Sequence, residues 1–150
     1  AALRESGLPP HRLELEITET AMLNDGEQML AVLTELRGFG VRLSVDDFGT
    51  GYSALHYLQK FPFDRIKIDQ SFVRELAANS ECLAIIRAVA GLGTSLGIAT
   101  TAEGVETAEQ LERLRQEGCT EVQGYLFSPP RPASELRELM APPIPKVDAA

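Results

Sequence analysis

From Arg12 to Thr18, Leu13, Leu15 and Ile17 alternate with Glu14, Glu16 and Thr18, the period of two that lets a strand bury one face. Ahead of that run, Ala2 to Ser6 reads as the end of a helix stopped by Gly7 and the Pro9-Pro10 pair. Asn24 with Glu27 forms a capping-box pattern, and Met29, Val32, Leu33 and Leu36 follow at helical spacing until Gly38 or Gly40. Val41 to Val45 predicts a second strand, and a short helix with Leu55 and Leu58 is expected from Ser53 to about Gln59. Arg65 to Asp69 predicts a third strand, Ile66 and Ile68 facing one way and Lys67 and Asp69 the other. A linking segment runs through Phe72 and Leu76. Ser80 then caps a long helix whose stripe is Cys82, Ile85, Ile86, Val89 and Leu96, ending at Gly97.

Ile98 to Ala102 gives a fourth strand, and Thr107 with Gln110 opens a helix carrying Leu111 and Leu114 before Gly118. Glu121 to Gln123 gives a fifth strand, Ser134 to Met140 a terminal helix, and residues 141–150 a Pro-rich tail. The order is β-α repeated five times. Such alternation calls for a parallel sheet covered by helices, and units of roughly 20–30 residues suit either a (β/α)₈ barrel or a doubly wound sheet.

Composition narrows the function classes. At 150 residues and 44% hydrophobic, the chain suits a single packed unit. No apolar run is long enough to cross a membrane, and the start lacks a secretory pattern, so a cytoplasmic protein is expected. A net charge of -8, no Lys/Arg cluster and 6% aromatic residues argue against nonspecific nucleic-acid binding. Cys82 and Cys119 fit no zinc spacing and are expected to be reduced, packed thiols. His11 and His56 read as surface or packing residues, and no Ser, Cys and His make a nucleophilic set.

The chemistry collects at the carboxyl ends of the strands: Glu16 and Glu19, Asp46 and Asp47, Lys67 and Asp69, Glu103 and Glu106, then Gln123. In a parallel α/β sheet these ends share one face. Asp46 and Asp47 are neighbours and would point to opposite faces of a strand, so both reach one site if the strand ends there and the Gly49-Thr50-Gly51 segment turns. So many carboxylates on one rim repel one another unless cations or Lys67 offset them. All-oxygen donors select Mg²⁺ or Mn²⁺ over zinc, and several acids with one lysine suit a two-metal hydrolytic site.

Glu16-Ile17-Thr18-Glu19, the run from Asp46 to Ser53, Lys67-Ile68-Asp69, Ala102 to Thr107, and Gln123-Gly124-Tyr125 occur in one order. Together they resemble the EAL domain family, bacterial phosphodiesterases that linearise cyclic di-GMP, over the chain down to about Met140. The resemblance implies a TIM-like (β/α)₈ barrel of which residues 1–140 supply about the last five βα units. It implies Mg²⁺- or Mn²⁺-dependent hydrolysis of one 3′,5′-phosphodiester to give linear pGpG. Glu16 matches a ligand of the first metal, Asp46 the ligand shared by both, and Asp47 and Glu103 ligands of the second. Lys67 matches the lysine that contacts the attacking water. Glu19 matches the acid that anchors the Asp-Asp-Phe-Gly-Thr-Gly loop, and Glu106 a supporting acid. Gln123 matches a glutamine at the site, with Asp69 beside it as a substrate-binding residue.

The resemblance also implies a homodimer and an attached sensory or GGDEF domain. Its Glu-Ala-Leu segment and a metal-binding asparagine belong to strands that would precede the Glu16 strand. The chain by itself is therefore expected to be weakly active at most, and to need an upstream segment or self-association to cover an edge strand. The alternative is an inactive EAL module that acts as a cyclic di-GMP receptor or a protein-interaction domain.

Overall fold

Five parallel strands lie side by side in the order in which the chain makes them: β1 (Glu14–Thr18), β2 (Arg42–Phe48), β3 (Arg65–Ile68), β4 (Ala99–Ala102) and β5 (Glu121–Val122). This computed structural model describes residues 2–24, 26–49 and 58–135. A doubly wound sheet reverses its strand order at a switch point, and this one does not. Sequential parallel strands joined by helical crossovers are the arrangement of a (β/α) barrel sector.

The helices described from end to end are α1 (Ala2–Ser6), α2 (Glu19–Asn24), α3 (Gly26–Gly38), α4 (Gln70–Glu75), α5 (Ser80–Leu96) and α6 (Ala108–Gln116), with 3-10 turns at Pro10–Arg12 and Ala133–Glu135. Leu43, Val45, Ile66 and Ile68 from the sheet are fully buried with Leu33 of α3, Ile86 of α5 and Leu114 of α6. Each such aliphatic side chain contributes about 1.5–3 kcal/mol over its exposed state. That core occupies the outer face of the sheet.

The second strand departs from expectation in a way that bears on function. It does not stop at Val45 but runs on to Phe48 through a bulge, where Val45 pairs with Ile66 and Phe48 with Ile68. One extra residue on β2 breaks the alternation, so Phe48 returns to the outer core and is buried. Asp47 absorbs the irregularity with φ +55, a left-handed conformation that Asp tolerates better than most side chains.

Other differences are local. β1 begins at Glu14 because residues 10–12 form a 3-10 turn. Two six-residue helices, α2 and α4, occupy segments expected as strand end and linker. Asn79, not Ser80, caps α5: Asn79 keeps extended φ and ψ and accepts the Glu81 N–H at 2.9 Å. The buried stripe of α5 keeps Cys82, Ile86 and Val89 as expected and adds Ala90 and Gly93, small residues that hydrophobic spacing underweights, while Leu96 in the last turn is 41% exposed. At Gly93 a Cβ would collide with Thr100, so the missing side chain lets α5 lie on β4.

The capping box of Thr107 and Gln110 forms as expected. The thiols of Cys82 and Cys119 are free, and burial with Glu117 nearby pushes that of Cys119 up to about 11. Of the helix expected from Ser53 to about Gln59, the structure describes the end alone, where Leu58, Gln59 and Lys60 are helical; the tail at 141–150 and the terminal helix beyond Glu135 lie outside the described residues. Among the described residues, no helix is long and apolar enough to cross a membrane.

Candidate active site

The face of the sheet opposite the apolar core carries charge. Lys67, on the central strand β3, is buried, its side chain 8% exposed. Its Nζ lies 2.9 Å from Glu16 Oε2 of β1, 3.0 Å from Asp46 Oδ1 of β2 and 2.7 Å from Glu103 Oε1 just after β4. Four strands thus bring one lysine and three carboxylates together at the rim, as the shared-face reading expects. Burial disfavours the ammonium, but the bonds to Glu103, Glu16 and Asp46 outweigh it and raise Lys67 above the ordinary lysine range. Lys67 is therefore a fixed cation at neutral pH.

Asp47 reaches the same rim because of the bulge. Its carboxyl meets that of Asp69, and burial, then the charges of Asp46 and Asp69, raise it above the usual carboxylate range. Asp69 is the N-cap of α4 and accepts the Ser71 N–H at 3.0 Å and the Ser71 hydroxyl. Burial would raise Asp69, but these hydrogen bonds bring it below the usual range.

Glu19 stands apart from the Lys67 cluster. It opens α2 directly after β1, is 2% exposed, and accepts the Gly49 N–H at 3.1 Å. It thereby ties the start of α2, directly after β1, to the residue that follows β2. Gly49 itself has φ +99 and packs under Phe72, where a Cβ would press on the ring, so the position demands glycine.

Glu106 makes no ion pair with Lys67. With Glu103, Gln123 and Tyr125 it lines a cavity of about 240 Å³, together with Gln70 and Arg74, which the sequence did not single out. The cavity wall is built by backbone: Gln123 N–H donates to Ala102 O at 2.9 Å, Val105 N–H to Gln123 O at 3.0 Å, and Leu126 N–H to Val105 O at 2.9 Å. This continues the β4–β5 ladder past both strands. A Cβ on Gly124 would collide with the Val105 backbone, so that glycine permits the approach of Gln123 to Glu103. A hollow of about 340 Å³ around His11, Arg12, Glu14 and Arg42 lies toward the amino ends of the strands, away from the rim chemistry.

The donor set fits hard divalent cations. Glu16, Asp46, Asp47 and Glu103 offer oxygen alone, and their charge exceeds what Lys67 neutralises. Asp46 Oδ1 is buried and receives no well-aligned hydrogen bond among the described residues, the Lys67 ammonium being its compensation. Among the described residues, no three Asp, Glu, His or Cys side chains are arranged around an ion site as they stand, since Lys67 lies between them.

Comparison with known proteins gives this geometry a family. The model of the EAL domain matches residues 1–130. The chain belongs to the EAL domain family. It is 42% identical, over 99% of its length, to the cyclic di-GMP phosphodiesterase NbdA of Pseudomonas aeruginosa, and spans 20% of that relative. Against the bifunctional diguanylate cyclase/cyclic di-GMP phosphodiesterase MucR of the same organism it is 44% identical over 90% of the chain, again spanning 20% of the relative. The solved c-di-GMP complex of the PaMucR phosphodiesterase superposes with a TM-score of 0.87 at 44% identity, covering 90% of this chain and 55% of that one. A manganese and c-di-GMP complex of Klebsiella pneumoniae BlrP1 gives 0.81 at 40% identity, covering 86% of this chain and 33% of that one. The chain therefore has the TIM-barrel type of fold of EAL domains, its five strands forming part of the barrel.

Proposed function

We propose that this EAL domain hydrolyses cyclic di-GMP to linear pGpG at the Lys67 rim, with Mg²⁺ or Mn²⁺. The observation that carries the reading is the meeting of Glu16, Asp46 and Glu103, from different strands, on one buried lysine. In the reaction a water oxygen bonds to phosphorus while the bond from phosphorus to the 3′ oxygen breaks, leaving the 5′ phosphate of pGpG.

Glu16 and Asp46 would hold one cation, and Asp46, Asp47 and Glu103 a second. Bound cations supply charge neutralisation at the phosphoryl oxygens and an activated water. Lys67, held protonated, orients the attacking water and stabilises negative charge as it develops. Gln123 at the cavity and Asp69 against Asp47 contact substrate, and Glu106 supports the cavity wall. Glu19 holds the bulged Asp pair in place through Gly49. Support comes from relatives named as cyclic di-GMP phosphodiesterases and from the manganese and c-di-GMP complex of BlrP1.

In the same reading the domain works in the bacterial cytoplasm, as part of a homodimer with a sensory or GGDEF domain attached. MucR, of which the chain spans 20%, carries a name with two activities. The test is chromatography of cyclic di-GMP incubated with the full-length protein and Mg²⁺. Conversion to pGpG is expected. Binding without conversion would favour a receptor instead.

A further inference from the structure

Directly beneath the Lys67 cluster lies a second cation with its own carboxylates. Arg65 precedes Lys67 by two residues on β3, so both side chains leave the same face of the strand. Arg65 Nη1 lies 2.9 Å from Glu121 Oε2 and Nη2 3.1 Å from Glu121 Oε1, a two-point contact to β5. Its Nε lies 3.3 Å from Glu14 Oε1 of β1 and is buried without a well-aligned hydrogen bond, so the Glu14 carboxylate compensates it.

The spacing repeats on all three strands. Glu14 precedes Glu16 by two on β1, Arg65 precedes Lys67 by two on β3, and Glu121 precedes Gln123 by two at β5. We propose that Glu14, Arg65 and Glu121 form a positioning layer that fixes where Glu16, Lys67 and Gln123 stand relative to one another.

Neighbouring strands are about 4.8 Å apart, so in a flat sheet β1 and β5 would each lie about 10 Å from β3. One guanidinium reaches carboxylates on both with both glutamates extended toward it, and a sheet that curves around it shortens that reach. β5 is held to β4 by the pairs Thr101–Glu121 and Ala102–Val122, by Thr120 on Thr100 and by the Gln123 N–H on Ala102 O, and Arg65 adds a side-chain tie from β5 to β3. The planar fork of arginine holds two carboxylates in fixed directions, which the single point charge of a lysine cannot do. The proposal rests on the reading of the rim as a phosphodiesterase site.

The two arms of the layer serve different functions and can be separated in the full-length protein. Mn²⁺ affinity is read by electron paramagnetic resonance, and KM with cyclic di-GMP. Glu14→Gln, acting through Glu16, should weaken Mn²⁺ about 10-fold and leave KM unchanged, the size usual for groups that orient a ligand. Glu121→Gln, acting through Gln123, should raise KM by a similar factor and leave Mn²⁺ affinity unchanged. Arg65→Gln should do both, and Arg65→Lys should recover less than half of each loss.

A general loss of structure would move both constants together in the carboxylate variants, and that result overturns the proposal. Wild-type constants in both carboxylate variants, or in a folded Arg65→Gln, overturn it too. If Arg65→Gln does not fold, the opposed shifts of the carboxylate variants decide. A wild type that binds neither Mn²⁺ nor cyclic di-GMP overturns the reading of the rim itself, and the positioning layer with it.

Discussion

On the outer face of the sheet, Leu43, Val45, Ile66 and Ile68 are fully buried among aliphatic neighbours; one residue along, the inner face carries Glu16, Asp46, Arg65 and Lys67. The outer contacts are nondirectional and numerous, so any one of them is replaceable by a side chain of similar volume. The inner contacts are pairwise, and each charge depends on named partners across strands. Barrel interiors are usually filled by layers of branched apolar residues. Here the described sector replaces them with two layers centred on cations, Arg65 below and Lys67 at the rim. Stability and chemistry therefore separate by face, and substitutions should report the separation.

The largest expected effect on stability is on the outer face. Ile66→Ala should cost about 2–5 kcal/mol in urea unfolding. Turnover per folded molecule should stay at the wild-type level. If turnover falls with it, the faces are not independent.

Lys67→Met is the reciprocal change. Turnover should drop about 10²–10³-fold, the loss seen when a preorganised charge-stabilising group is removed. Its thermal midpoint should move less than that of Ile66→Ala, because the three carboxylate side chains left behind are 49%, 21% and 19% exposed, Asp46 Oδ1 being the buried oxygen that loses its compensating cation. A variant that unfolds before it loses activity would make Lys67 a structural residue.

Asp47→Asn should lower turnover about 10–100-fold by weakening the second cation. Its effect on stability without cations has the opposite sign. The carboxyl of Asp47 is raised, so the folded state holds a proton there more tightly than the unfolded chain. Wild-type stability then falls as pH climbs from the usual carboxylate range through that raised value. Asp69 is lowered, and its contribution is present above the usual range and lost as pH falls through its lowered value. The Asn variant removes the first effect, so it should melt slightly higher than wild type near neutrality and lose that margin in acid. Equal melting across pH would contradict the repulsion.

The smallest effect expected is at Thr107, whose capping box opens α6 one residue after Glu106. Thr107→Ala should cost about 1 kcal/mol. Turnover should be unchanged.

The outer face was legible because aliphatic alternation is strong at Leu13 to Ile17 and at Ile66 and Ile68. The rim was legible because parallel strands put their carboxyl ends on one side, whatever the exact bounds. The bulge was not, since one extra residue at Asp46-Asp47 shows itself only when β2 is paired with β3. Helices α2 and α4 are six residues each and follow a strand at once, so Glu19 and Asp69 read as strand ends rather than helix starts. Arg65 looked like an ordinary strand opening, because nothing near it in sequence identifies Glu14 and Glu121 as its partners. Gly124 was legible as part of the Gln123-Gly124-Tyr125 motif, but the reason for a glycine there, the backbone of Val105, was not.

The expectations for turnover all rest on cation-dependent hydrolysis at the charged rim. It is tested most directly by following pGpG formation by the full-length protein across a Mn²⁺ titration, wild type beside Asp46→Asn. Turnover that rises with Mn²⁺ in the wild type and is lost in a variant of equal melting temperature is the predicted result. Turnover independent of added and chelated metal, or undiminished in Asp46→Asn, would contradict it.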